Sequence, residues 1–133
     1  MSHSKIFKRI EGSICAPQGF KAAAVFCDIK RLGTGKGSEK GRKRDLGLIV
    51  SDTSAAVAGT FTTNQVCAAP VKLSASRAAK RFARAIVMNS GNANACTGRR
   101  GIADAKRMTE TAACVLKLKG GDVLVCSTAE LVC

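Results

Sequence analysis

The chain has no tryptophan, no tyrosine, one histidine, two prolines, and nine acidic residues against 22 lysines and arginines. Each shortage excludes something. With five phenylalanines as its only aromatics, it offers few flat platforms on which bases or sugars could stack. Its single imidazole, His3, lies in the terminal stretch, so a Ser–His or Cys–His nucleophilic pair has no base to draw on. No apolar run approaches the ~18 residues that a membrane-spanning helix needs. Residues 1–12 carry charge without the apolar stretch of a secretory signal. A soluble cytoplasmic protein is the expectation.

What remains is globular in character. The 133 residues suffice for one domain, and 46% apolar with 23% charged residues argues against disorder. Alanine, valine and cysteine dominate the apolar part, which predicts a core of small side chains and close backbone approach. The seven cysteines are odd in number, and no two are separated by two residues. A zinc site needs closely spaced thiolate pairs, so no metal is expected. Cys27, Cys67, Cys114 and Cys126 sit beside Val, Ala or Phe and read as small buried core residues. Unpaired thiols fit a reducing compartment.

The formal charge of +13 is unevenly placed. Residues 30–44, from Lys30 to Arg44, hold a Gly-rich basic run without apolar periodicity, a solvated loop. Its GTGKGSEKG string fails as a phosphate loop, because Lys36 is followed by Gly37 and no hydroxyl is placed for magnesium. Arg77, Lys80, Arg81 and Arg84 have helical spacing and predict one basic helix face. Without interleaved aromatics or a known nucleic-acid motif, a basic nucleic-acid-binding module is the minor alternative, beside a non-functional fragment.

Apolar runs at 20–28 and 46–51 predict two strands joined by an extended hairpin connection. Residues 57–61 and 66–72 predict a further strand pair with a turn at Thr62-Thr63-Asn64, the second ending or lying at an edge because of Pro70. A helix over 74–84 would start at Ser74 as N-cap. Residues 85–88 form a buried strand, and Asn89, Asn92 and Asn94 supply turn chemistry and loop-bracing amides that could also meet a substrate. The spacing of Ile102, Ala105, Met108, Ala112, Val115 and Leu116 predicts a helix over 101–118, its dipole complemented by Asp104 and by Lys117 and Lys119, stopped by Gly120-Gly121. Residues 122–126 form another buried strand, with Ser127 and Thr128 at its end. The class is α/β or α+β.

Several strings carry a family resemblance: APQGFKAAAV at 16–25, DLGLIVSDTSAAVAGTFTTNQVCAAPV at 45–71, AIVMNSGNANACTG at 85–98, GIADA at 101–105 and DVLVCST at 122–128. In that order the chain resembles the N-terminal α chain of the ornithine acetyltransferase family, the glutamate N-acetyltransferases and amino-acid acetyltransferases of arginine biosynthesis. Residues 1–15 then read as a tail, 16–133 as a partial α-chain domain, and 30–44 as a basic insertion. The resemblance implies a layered α/β sandwich similar to N-terminal-nucleophile hydrolases. It implies acetyl transfer from N-acetylornithine to glutamate through an acyl-enzyme on a threonine, with acetyl-CoA a further substrate in some members and no bound cofactor. It also implies self-cleavage before that threonine and assembly of α and β chains into an α2β2 heterotetramer.

The family's Ser-Thr-Gly motif supplies the oxyanion hole from the threonine hydroxyl and the glycine N–H. It reads here as Ser127-Thr128-Ala129, so the resemblance implies Thr128 and Ala129 as the oxyanion pair. Alanine keeps an N–H but resists the positive φ that glycine tolerates. The likeness stops after Thr128, at Glu130-Leu131-Val132-Cys133, and the nucleophilic threonine is absent; Thr62 and Thr63 belong to another signature. The expectation is an isolated chain without activity, from a truncated or frame-shifted coding sequence.

Overall fold

The computed structural model describes residues 10–29 and 44–128. The N-terminal residues 1–9, the basic loop over 30–43, Ala129 and the four residues after it lie outside that range. Four strands, β1 (Phe20–Val25), β2 (Leu46–Ala56), β3 (Phe82–Ser90) and β4 (Val123–Thr128), form one sheet in the order β1-β2-β3-β4. Two helices, α1 (Ala69–Ala78) and α2 (Gly98–Leu116), pack on one of its faces. β1–β2 and β2–β3 are antiparallel, whereas β4 joins β3 in parallel after the α2 crossover. The mixed α/β class is as expected.

The core is made of small residues. Ala85 and Val87 of β3 and Val123 and Val125 of β4 meet Ala69 of α1 and Ala105 and Ala113 of α2. On α2 the buried stripe is Gly101, Ala105, Thr109 and Ala113, an i, i+4 row that lets the helix approach the sheet closely. Ile102, Met108, Ala112 and Leu116 flank this row, while Val115 faces solvent at 77% exposure, against the expected core role. Thr109 is fully buried because its hydroxyl donates to the Lys106 carbonyl at 2.7 Å, satisfying its polarity within the helix.

Several boundaries differ from expectation: β2 runs on past 51 to Ala56, and β3 starts at Phe82, so residues 82–84 are strand where a helix was expected. Residues 57–68 are irregular, not stranded, and are pinned by local side-chain turns: Asn64 N–H donates to Thr62 Oγ1 at 3.1 Å and Val66 N–H to Asn64 Oδ1 at 3.2 Å. Pro70 opens α1 instead of ending a strand, because the first helical turn has no intrahelical use for its missing N–H. The helix therefore ends at Ala78, and Ser74 is buried mid-helix and caps nothing. α2 runs from Gly98 and stops at Lys117, which adopts φ 55° and donates its N–H back to the last turn; Gly120 and Gly121 belong to a short 3-10 turn after the stop.

The expected basic face is dispersed as well. Arg77 lies on α1, Lys80 and Arg81 in the turn after it, and Arg84 on β3. Arg84 donates to the Ser51 carbonyl at 3.0 Å and the Asp52 carbonyl at 2.8 Å, clamping β2 where its register to β3 shifts between Val50 and Ala55. Arg77 donates to the Val123 carbonyl at 2.5 Å; burial lowers its pKa from the usual value, opposed by the charge of Glu110.

The face opposite the helices alternates with the core positions and carries Phe20, Ala22, Ile49, Ile86, Met88 and Cys126, half-buried or exposed, around buried Leu124 and Ser51. Cysteine burial is thus overturned: among the described residues Cys27, Cys114 and Cys126 are exposed and Cys67 is partly buried. Cys126 sits on the open face of β4 and Cys114 on the outer side of α2, while Cys27 and Cys67 lie in irregular segments beside the elements.

Candidate functional site

The C-terminal ends of the parallel strands β3 and β4 lie side by side, Asn89 opposite Ser127 and Ser90 opposite Thr128. In sheets with parallel strands this end is where ligands are met. The Asn89–Asn94 loop that follows β3 is braced by its own amides. Asn89 Nδ2 donates to the Asn92 carbonyl at 2.9 Å, the Asn94 N–H to Asn92 Oδ1 at 3.1 Å, and Asn94 Nδ2 to the Gly101 carbonyl at 2.9 Å. Thr97 Oγ1 donates to Asn94 Oδ1 at 2.5 Å, tying the loop to the start of α2. The bracing role read from the sequence is the one these amides perform.

Two bonds join this loop to the end of β4. The Ser127 hydroxyl donates to Asn89 Oδ1 at 2.6 Å, and the Gly91 N–H donates to the Thr128 carbonyl at 2.8 Å. Gly91 needs its lack of a side chain, since φ is 111° and the residue is buried. Gly101 is required for a second reason: a Cβ there would fall 1.8 Å from Thr97 Oγ1 and 2.4 Å from Asn94 Oδ1.

Alternation along β4 puts Ser127 on the helix-covered face and Thr128 on the open one. Thr128 is exposed, and none of the hydrogen bonds among the described residues uses its hydroxyl. Ser127 and Asn89 instead line a cavity of about 510 Å³ beside Asn92, Asn94, Arg100 and Asp104, floored by Leu46 and Met108. Arg100 and Asp104 approach to 3.8 Å at its exposed rim. The structure thus brings Asn89, Asn92 and Asn94 together with Ser127 and sets Thr128 on the far side of the strand; Ala129 lies outside the described residues.

Asp45 was not singled out by the sequence. Its buried carboxylate accepts the N–H groups of Cys27 and Ile29, both at 2.6 Å, and its carbonyl accepts the Ser90 N–H at 2.8 Å. It fixes the strand ends on the other side of β3. The only hint of this in the sequence is an acidic residue directly ahead of an apolar run.

A mixed sheet layered by helices on one face, with a hydroxyl-bearing strand end held by an asparagine loop, defines a two-layer α/β domain, and the N-terminal-nucleophile-hydrolase-like fold expected from the resemblance is supported by solved structures similar to it. The chain belongs to the ArgJ family, whose model matches residues 21–131. It is similar to the arginine biosynthesis bifunctional protein ArgJ of Caldanaerobacter subterraneus, 51% identical over 122 residues, which covers 92% of this chain and 28% of that protein. The ArgJ protein of Lactococcus lactis is 45% identical over 124 residues, 93% of this chain and 29% of its own length. Among solved structures, ArgJ of Bacillus halodurans superposes with a TM-score of 0.78 at 34% identity, covering 91% of this chain and 59% of that one. The ornithine acetyltransferase of Mycobacterium tuberculosis, complexed with ornithine, gives 0.76 at 38%, covering 87% and 58%. The chain therefore spans under a third of the curated relatives it matches. No helix among the described residues is long and apolar enough to cross a membrane.

Proposed function

We propose that this chain forms the oxyanion-binding part of an acetyltransferase that moves an acetyl group from N-acetylornithine to glutamate. The observation that supports the reading most directly is Thr128: an exposed hydroxyl at the parallel-strand end, its own carbonyl tied down, in the Ser-Thr signature of the family to which the chain belongs. Such a donor is free to meet a developing oxyanion, and one donor is worth ~2.7–4 kcal/mol of barrier. The Ala129 N–H would be the second donor.

The attacking threonine comes, in this reading, from the part of the family polypeptide that the match does not cover. That part is a β chain produced by self-cleavage, and the two assemble as α2β2. Acetyl-CoA is a further acyl donor. The exposed thiols suit the reducing cytoplasm. The alternative of nucleic-acid binding loses support because Arg77 and Arg84 are spent on backbone carbonyls.

The test is a fusion in which residues 16–128 replace the matching segment of the Caldanaerobacter relative. Acetyl transfer from N-acetylornithine to glutamate is expected, and Thr128→Ala should lower kcat by ~10²–10³-fold without unfolding the protein. An active fusion indifferent to that change would refute the assignment.

A further inference from the structure

In the proposed function Thr128 donates from the open face, where strand alternation sets its hydroxyl away from the helix-covered cavity. Because side chains alternate, a one-residue slip of β4 would exchange Ser127 and Thr128 between faces. The β3–β4 ladder and the α1 bonds to Val123 and Val125 set the register of the strand as a whole, and two contacts hold its last residues: Ser127 Oγ to Asn89 Oδ1 at 2.6 Å, and the Gly91 N–H to the Thr128 carbonyl at 2.8 Å. Asn89 is itself held, since its Nδ2 donates to the Asn92 carbonyl at 2.9 Å.

Building on that reading of Thr128, we propose that Asn89 is a positioning residue: through Ser127 it sets the face and height of the Thr128 hydroxyl. Each Asn89 amide atom has one job. The oxygen reads the serine of the Ser-Thr pair, and the nitrogen fastens the loop that carries Gly91. Asparagine is the shortest side chain that carries a donor and an acceptor on separate atoms, so both bonds can be made at once in different directions. Ser127 is thereby assigned to orientation, on the side of the strand away from the reacting carbonyl.

Two measurements decide it. In the fusion described above, Asn89→Ala and Ser127→Ala should each lower kcat by ~10²-fold, the loss expected for a displacement on the order of 1 Å. KM should stay unchanged, and the double variant should be no worse than Asn89→Ala alone, because that variant already breaks the contact that Ser127→Ala removes. Ser127→Thr, which keeps the hydroxyl, should restore kcat. In the 133-residue chain itself, Asn89→Ala should speed amide exchange at Gly91 by more than ~10-fold and leave Val123 and Val125 protected. Unchanged Gly91 exchange overturns the proposal, as does an active fusion whose kcat ignores both variants. Equal losses in kcat, KM and melting temperature with additive singles would make Asn89 merely structural and also overturn it. A fusion inactive before any substitution would bring down the acyl-transfer reading, a distinct outcome that takes this inference with it.

Discussion

At the scale of single residues, the site depends on polar side chains that were given buried work on the backbone. Asp45 shows how much one of them holds. Its carboxylate accepts two N–H groups from the segment after β1 at 2.6 Å each, in a place nearly closed to water. Removing it leaves both donors unpaired, and a hydrogen bond to a charged group contributes about 1.5–3 kcal/mol. Asp45→Ala should therefore destabilise the chain by about 3 kcal/mol in urea unfolding at neutral pH, with Asp45→Asn losing roughly half as much. If Asp45→Ala unfolded at the same urea concentration as the parent, the carboxylate would hold nothing that water does not replace. Gly91 and Gly101 belong at this scale too: the first for its positive φ, the second for the space its missing Cβ leaves to Thr97 and Asn94.

At the scale of elements, the outer edge of β4 is closed by a helix and not by another strand. Ser74 in α1 donates its hydroxyl to the Val125 carbonyl at 2.6 Å and accepts the Val125 N–H at 3.0 Å, and Arg77 one turn later takes the Val123 carbonyl. An unpaired edge is a template for foreign strands, so this helix replaces a missing neighbour. Ser74→Ala should cost about 1–3 kcal/mol and raise the aggregation rate on mild heating, which light scattering would follow; an unchanged rate would mean that packing of α1, not these bonds, guards the edge. The same residue explains what the sequence conceals. β2, β3 and β4 were legible in their central runs because these are short, bounded and hold β-branched Ile and Val, β1 as a short alanine-rich apolar run, and α2 because its apolar residues recur at helical spacing. Ser74 misled because serine before an Ala-Arg-Lys run looks like a cap, whereas its partner is 51 residues away. Pro70 misled because proline breaks a strand and opens a helix with equal ease, and only the neighbouring β4 decides which. For the site, the asparagine loop and the Ser-Thr pair were legible as strings. That Ser127 and Thr128 face opposite sides follows from strand alternation, but that Ser127 is the one facing the helices follows from pairing with β3, which no local pattern encodes.

At the scale of the whole molecule, the helices cover one face of the sheet and leave the other to Phe20, Ile49, Ile86, Met88 and Cys126. Thr128 stands on that same open face, so whatever supplies the reacting groups has to approach where apolar surface awaits cover. In the proposed assembly the remainder of the family polypeptide does both at once. Cys126 makes this measurable without any turnover. Although the residue is exposed, the sheet surface around it partly desolvates its sulfur and pushes the thiol pKa up, which reduces the reactive thiolate at a given pH. The sign for stability follows: a thiol whose folded pKa is raised favours the fold below the ordinary thiol value, and that contribution is lost as pH rises through the raised one. Unfolding should therefore become easier in the alkaline range, and Cys126→Ser should flatten this part of the profile. When the remaining segment of the Caldanaerobacter relative is added, Cys126 should become further desolvated, its alkylation by iodoacetamide should slow by ~10-fold or more, and binding of a hydrophobic dye to the chain should fall in parallel, as expected for a patch of this kind becoming an interface. Cys114, on the outer side of α2, serves as the internal reference and should react at an unchanged rate. Protection of Cys114 together with Cys126 would indicate non-specific association, and protection of neither would show that the open face is not where the rest of the family polypeptide docks.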